Sequence, residues 1–396
     1  MNPLPISAQA VEQYRQETTG TRHCVHFNNA GAALIPDPVR DAMIDYLQHE
    51  SRHGGYETAA VFQDQLAHVY PAIARLIGAA PEEIAVVENA TVAWQMAFHS
   101  LRFAPGDEIL TTEVAYLSNY LNFLQAQQRY GIRIVVAPSD EWGQVSVAEM
   151  AARISPRTRL IALTHVPTNG GLINPAAAVG KLAQAHDIPY LLDACQSAGQ
   201  LHLDVEAIGC DFLSATGRKY LRAPRGTGFL YVRTAMLGKI EPPFIDMHAA
   251  TLLAPDRYAW QPGARRFENW ESNQAAKLGL ARAVDYALTI GTERIEQRIK
   301  ALAQSLRSKL TAIPGVAVHD LGKETCGIVS ITKAGKAAPA LREALLAHHI
   351  NTSIIQPEGA LLDTRRRGLG QMLRASVHYY NTETELDLLC ERIENL

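Results

Sequence analysis

Pro189-Tyr190-Leu191-Leu192-Asp193-Ala194-Cys195-Gln196-Ser197, then Cys210-Asp211-Phe212-Leu213-Ser214-Ala215-Thr216-Gly217-Arg218-Lys219-Tyr220, then a Gly/Pro-rich run leading to Gly228-Phe229-Leu230-Tyr231-Val232, decide how this chain reads. Three short apolar runs, 190–192, 212–213 and 229–232, are bounded by polar or turn residues. Continuous short apolar runs suit strands buried on both faces of a parallel sheet. Such sheets carry their chemistry at the carboxyl ends of the strands. Asp193 stands just past one such end, and Lys219 lies six residues past another, between Gly217 and the pair Pro224 and Gly226.

The rest of the chain bounds the alternatives. A chain of 396 residues is long for one core and fits two domains. It is 47% hydrophobic and 19% charged, the composition of a water-soluble globular protein. A formal net charge of -3 gives no reason to expect nucleic acid or a membrane surface as a partner. Met1-Asn2-Pro3-Leu4-Pro5-Ile6-Ser7 has no basic region followed by an apolar core, so no secretory signal is expected, and no apolar run has transmembrane length. Five scattered cysteines (Cys24, Cys195, Cys210, Cys326, Cys390) with no C-x-x-C spacing favour reduced thiols in the cytoplasm and argue against a structural zinc site. Up to a break at Gln261-Pro262-Gly263, strand-like and helical runs alternate, as in an open α/β sheet. Beyond it come a long helical stretch (273–311), a strand-like run (327–332), a helix (338–348) and a closing helix from Thr382. The expected organisation is a helical N-terminal arm (1–20), a large domain (21–262) and a smaller α+β domain (263–396).

An ionised Asp with a Lys held near it suits pyridoxal phosphate (PLP), which needs a Lys to carry it and an acid partner for its ring nitrogen. On the residues alone, Asp193 could equally cap a helix and Lys219 could be a surface charge. Asp193-Ala194-Cys195-Gln196-Ser197 followed by Ser214-Ala215-Thr216-Gly217-Arg218-Lys219 resembles the class V aminotransferase family. That family includes cysteine desulfurases, selenocysteine lyases and isopenicillin N epimerase-like proteins. It shows Asp-Ala-x-Gln-Ser and then Ser/Thr-Gly-His-Lys about one βα unit later. The resemblance runs from about Phe27 to Asn395. It implies the fold-type I PLP-dependent transferase architecture, in which a mostly parallel seven-stranded sheet is flanked by helices. It also implies a homodimer with active sites near the interface and an amino acid as the small-molecule substrate.

Within the resemblance, Lys219 carries the cofactor, Asp193 faces the ring nitrogen and Gln196 donates to the phenolic oxygen. Thr216 and Arg218 match the positions that grip the phosphate; the family commonly has His where Arg218 stands, and an arginine fork keeps that role. Glu88-Asn89-Ala90-Thr91 follows the strand-like run 84–87 and opens a helix. Such a turn offers free backbone N–H groups to an anion, although Asn89 or Thr91 could be an ordinary N-cap. In the family this turn, usually Gly-Thr-Thr, holds the phosphate. Tyr116 stands where the family has an imidazole stacked on the ring. It keeps the stacking surface, but its free pKa near 10 makes it a poorer acid–base group than His at neutral pH. His165 and Thr168, in the loop after 160–164, match a family His and Asn near the phenolic oxygen and substrate. Cys195 reads as packing.

On the substrate side the resemblance points to Asn29 and Gly31, and to Arg374 as the bidentate partner of the α-carboxylate. His53-Gly54-Gly55-Tyr56 reads as a flexible loop, and Arg365-Arg366-Arg367 as a solvated one that an anionic substrate tail could use. In the family, the loop matching 266–273 brings a Gly-Thr pair to the partner's phosphate; Trp270-Glu271 stands here, so that contact does not carry over. Cysteine desulfurases hold a nucleophilic Cys in a loop before the carboxylate-binding Arg, and segment 351–373 contains no cysteine. The missing thiol argues against a desulfurase and leaves elimination, epimerisation or transamination. His53-Gly54-Gly55-Tyr56 and the run 376–382 resemble sulfoxide C–S lyases of thiol-histidine biosynthesis. The expectation is therefore a C–S lyase that eliminates sulfur from a cysteine conjugate or its sulfoxide to give pyruvate and ammonia. An epimerase or aminotransferase of the same family, or a catalytically inactive scaffold, are the alternatives.

Overall fold

A computed structural model describes residues 4–396. Its centre is a seven-stranded sheet in the order Ile84–Val87, Gly228–Val232, Phe212–Thr216, Tyr190–Asp193, Thr158–Thr164, Glu108–Thr112, Arg133–Ala137. Only Gly228–Val232 runs against its neighbours; the remaining pairs are parallel. The apolar runs of the sequence therefore form the middle of the sheet. Tyr190–Asp193, Phe212–Thr216 and Gly228–Val232 are buried along their whole length, because helices cover both faces. The α/β fold with a mostly parallel seven-stranded sheet is as expected.

A second, antiparallel sheet of four strands, Val316–Val318, Ile328–Lys333, Met372–Ser376 and Ser353–Ile355, carries Arg374 on an inner strand. The helical stretch before it is two helices, Gln274–Ile290 and Thr292–Thr311, broken at Gly291 with φ of +96°. The first of these packs on Asp37–His53 and Val69–Ile77, so it belongs to the layer beneath the large sheet. The closing helix Glu383–Glu394 starts at a capping box between Thr382 and Glu385. In the described part of the N-terminal arm, the helix Ala8–Gln16 is tied to this end of the chain, as Arg15 donates to the Tyr380 carbonyl and pairs with Glu385 at 2.8 Å.

His53-Gly54-Gly55-Tyr56 is not a flexible loop. Gly54, at φ +93°, breaks the chain between the helices Asp37–His53 and Gly55–Val61, and Tyr56 faces solvent.

Three buried histidines give the fold an acid limit. His26 donates from Nε2 to the Ala32 carbonyl and accepts from Asn351 at Nδ1; His378 donates to the Tyr220 carbonyl and accepts the Tyr379 N–H. Both are thus held neutral, and burial pushes their pKa down. Burial takes His165 down to about 4. A lowered folded pKa means that the unfolded chain binds more protons below about 6.5, so stability is full above that pH and is lost as pH falls toward the folded value. His165 alone accounts for up to about 3 kcal/mol between pH 6.5 and 4. Urea midpoints should therefore drop steadily from pH 7 to pH 4.5; a flat profile would contradict neutral burial of these rings.

Candidate active site

The carboxyl ends of the central strands, the start of the helix Ala90–His99 and the loop after Phe212–Thr216 enclose a cavity of about 520 Å³. Asn89, Ala90, Thr91, Tyr116, Asp193, Thr216, Arg218 and Lys219 all line it. The loop that carries Lys219 is fixed from behind. Gly199, at φ +92°, has no room for a Cβ, which would fall 2.4 Å from the Tyr220 carbonyl carbon. His378 also holds the Tyr220 carbonyl.

Lys219 is 7% exposed and takes part in no ion pair among the described residues. Burial lowers its pKa, and the charges of Arg218 and Arg374 add to this against the opposing pull of Cys195 and Asp193. Asp193 is buried beside it. Burial raises its pKa, opposed by the Cys195 N–H on Oδ1 (3.0 Å), by Asn119 Nδ2 on Oδ2 (2.7 Å) and by the Lys219 charge. Asn119 was not singled out in the sequence. It lies three residues after Tyr116 in the first turn of Leu117–Tyr130, so both reach the same face, which is the signal that could have found it.

At the other end of the cavity, Asn89 caps the helix Ala90–His99 by accepting the Val92 N–H at 3.0 Å. Its side chain is the ordinary N-cap of the two alternatives, while the Ala90 and Thr91 N–H groups keep the unsatisfied character of a helix start. Tyr116 itself caps the next helix, its N–H donating to Thr164 Oγ1.

The remaining expected residues form a second cluster. Arg374 donates from Nη1 to Thr168 Oγ1 (2.7 Å) and from Nη2 to Asn28 Oδ1 (3.3 Å); its Nε is buried without a partner. Burial lowers its pKa to about 10, and no carboxylate pairs with it among the described residues. Gln196 Nε2 reaches the Ala30 carbonyl (3.1 Å) and Thr168 Oγ1 (3.3 Å), and its Oε1 is buried without a partner. His165 Nδ1 is likewise buried and unpartnered. Arg218 joins the two clusters, because its Nη1 donates to the Gly31 carbonyl. Asn29 is not available to a substrate: Nδ2 holds the Ser376 carbonyl at 2.7 Å and Oδ1 accepts from Tyr380. Its neighbour Asn28 is the one that turns toward Arg374. In the arginine run, Arg366 and Arg367 are committed to Asp363, and Arg366 also to Glu113.

Four cations (Arg218, Lys219, Arg225, Arg374) thus stand against two carboxylates (Glu88, Asp193) in and beside one cavity. This asks for anionic groups at two places, next to a weakly solvated amine. Among the described residues, no group of three or more His, Cys, Asp or Glu is placed to hold a metal, and no helix is long and apolar enough to cross a membrane.

The comparison with known proteins agrees with this chemistry. The family model for aminotransferase class-V matches residues 25–389. A probable cysteine desulfurase of Methanothermobacter thermautotrophicus is 29% identical over 97% of this chain and 98% of its own length. The apo structure of a cysteine desulfurase from Thermococcus onnurineus NA1 superposes with a TM-score of 0.91 at 26% identity, covering 100% of this chain and 99% of the other. The cystine C–S lyase C-DES, solved with its reaction product cysteine persulfide, superposes at 0.86 with 25% identity, covering 95% and 99%.

Proposed function

The chain belongs to the aminotransferase class-V family, a PLP-dependent family, and from that premise we propose that it is a C–S lyase acting on a cysteine conjugate or its sulfoxide. The residues fit the cofactor. Lys219 has no ion-pair partner among the described residues, Asp193 is held by two donors, and Ala90 and Thr91, at the start of a helix, line the same cavity. Bound pyridoxal phosphate supplies an electron sink for the pair left at Cα when its proton is removed.

The residues divide the rest of the work. Asp193 would hold the ring nitrogen of the bound cofactor, and Asn119 and the Cys195 N–H favour its ionised form. Arg374, with Thr168 and Asn28 fixing its plane, takes the α-carboxylate. Lys219, its pKa lowered by burial, takes the Cα proton as a free amine. The Cβ–S bond then breaks, and water completes the balance: conjugate plus water gives thiol, pyruvate and ammonium. For a sulfoxide the sulfur leaves as the sulfenic acid.

The observation that carries the lyase over a desulfurase is the thiol placement. Segment 351–373 has no cysteine. Cys210, Cys326 and Cys390 are buried with their pKa raised, the last two to about 11, and Cys24 lies in the N-terminal region. Cys195 lines the cavity beside Lys219, but burial raises its thiol pKa and it stands outside the segment 351–373. A variant with all five cysteines replaced by Ser or Ala should keep its turnover and yield pyruvate plus ammonia in equal amounts. Loss of activity on removing a single cysteine, with fold and cofactor intact, would return the reading to the desulfurase chemistry named for the relatives, with alanine as product. Alanine racemised without sulfur release, or an amino group passed to a keto acid, would favour the epimerase or aminotransferase instead.

The same reading makes the chain a cytoplasmic homodimer. The hairpin Ala250–Ala254/Arg257–Trp260 joins no larger sheet and exposes Leu252, Leu253 and Tyr258, near in sequence to exposed Phe244, Met247 and Trp270. A lone two-stranded hairpin is marginal in water and gains stability from being covered. The mass of the purified chain in light scattering decides this point, a monomer overturning it.

A further inference from the structure

We propose that Arg225, and not Arg218, supplies the fixed cation for the phosphate of the cofactor, an inference that rests on the pyridoxal phosphate reading above. Both arginines line the cavity. Arg225 precedes Gly226, at φ +77°, in the turn that leads into Gly228–Val232. A Cβ on Gly228 would fall 2.7 Å from the Asn89 carbonyl carbon and 2.9 Å from its Cα. The turn is therefore seated backbone to backbone on the N-cap of the helix Ala90–His99, whose first residues line the cavity. Arg225 makes no hydrogen bond or ion pair among the described residues and is exposed to the cavity mouth.

Arg218 is held elsewhere. Its Nη1 donates to the Gly31 carbonyl and its own carbonyl accepts the Ala33 N–H at 2.9 Å, so both ends are tied to the loop beside Asn28 and Arg374. Of the other polar side chains at the Ala90 end, Asn89 is engaged on the Val92 N–H and Thr216 on the Thr227 carbonyl (3.3 Å), and Thr91 offers only a neutral hydroxyl. Backbone amides are neutral donors, and Glu88 stands on the same rim. A dianionic phosphate there requires a cation close by, and a free guanidinium fork matches its geometry.

The test is equilibrium binding of pyridoxal phosphate and of pyridoxal to the apoprotein, read as the ratio of the two affinities. Arg225→Ala should lower that ratio roughly tenfold to a hundredfold, the range for one charge-assisted contact, with pyridoxal unaffected. Arg225→Lys should recover part of it, Glu88→Gln should raise it, and Arg218→Ala should leave it near the wild-type value. A ratio lowered by Arg218→Ala and untouched by Arg225→Ala overturns the inference, as does an equal loss for both ligands in Arg225→Ala. Wild-type apoprotein that takes up no pyridoxal phosphate overturns the cofactor reading itself, which keeps the two failures distinct.

Discussion

Replacement of Lys219 by alanine should reduce turnover by about a thousandfold or more, the combined size of a lost proton-transfer group and a lost covalent anchor. The same substitution should leave the apoprotein as stable as before, or more so. Lys219 is buried with no ion-pair partner among the described residues, and its pKa is lowered chiefly by that burial. At neutral pH a group whose folded pKa lies below its unfolded value costs stability, because the charged form loses more hydration than it regains. Removing it relieves that cost. A melting temperature that falls sharply would mean that Lys219 is a structural side chain. In the wild type, borohydride reduction of the holoenzyme followed by peptide mapping should place the pyridoxyl label on Lys219. A label on Lys277, the other lysine whose pKa burial lowers, would move the active amine to the small cavity beyond Gly226. The pH–rate profile should rise with a midpoint below that of an ordinary lysine, since the base form is reached earlier.

The sequence made the centre of the sheet legible because parallel strands buried on both faces leave an unmistakable trace, unbroken apolar runs such as 190–192 and 229–232. Arg133–Ala137 also carries an apolar run, 134–137, but its place as the half-exposed edge strand was hidden. The hairpin Ala250–Ala254/Arg257–Trp260 was equally hidden, since its side chains neither alternate nor bury. Asp193 and Lys219 could be paired from spacing because a single βα unit separates them. The second cluster could not be assembled that way. Asn28, Thr168, Gln196 and Arg374 come from four separate parts of the chain and meet only through tertiary packing. Choosing between Asn28 and Asn29 depended on which one the Ser376 carbonyl and the Tyr380 hydroxyl had already claimed. Gly54-Gly55 misled because a positive-φ glycine can end one helix and start the next within a single residue, leaving no loop.

Arg374→Ala should raise KM for any amino acid substrate by about 30-fold to a few thousandfold, corresponding to about 2–5 kcal/mol for one partner of a buried charge pair. Cofactor absorbance should stay in place, because among the described residues no hydrogen bond ties Lys219, Asp193 or the Ala90 end of the cavity to Arg374. The structure gives the reason for an effect this large. Arg374 is 7% exposed, its hydrogen-bond partners are the neutral groups of Thr168 and Asn28, and its Nε is left without an acceptor. A guanidinium in that setting is an unmet demand for a carboxylate, and burial holds its pKa down near 10, still charged at neutral pH. Arg374→Lys should recover little, because an ammonium cannot keep Thr168 and Asn28 and also present two parallel donors to a carboxylate. An unchanged KM would require another cation. Arg366 and Arg367 are already paired with Asp363 and Glu113, so recruiting either would first break an ion pair that the substrate does not replace. Arg218, tied to the Gly31 carbonyl beside the same cluster, is the remaining candidate, and the double replacement of Arg218 and Arg374 separates the two: additive losses mean independent roles, and a loss no greater than that of Arg374→Ala alone means that Arg374 holds the carboxylate by itself.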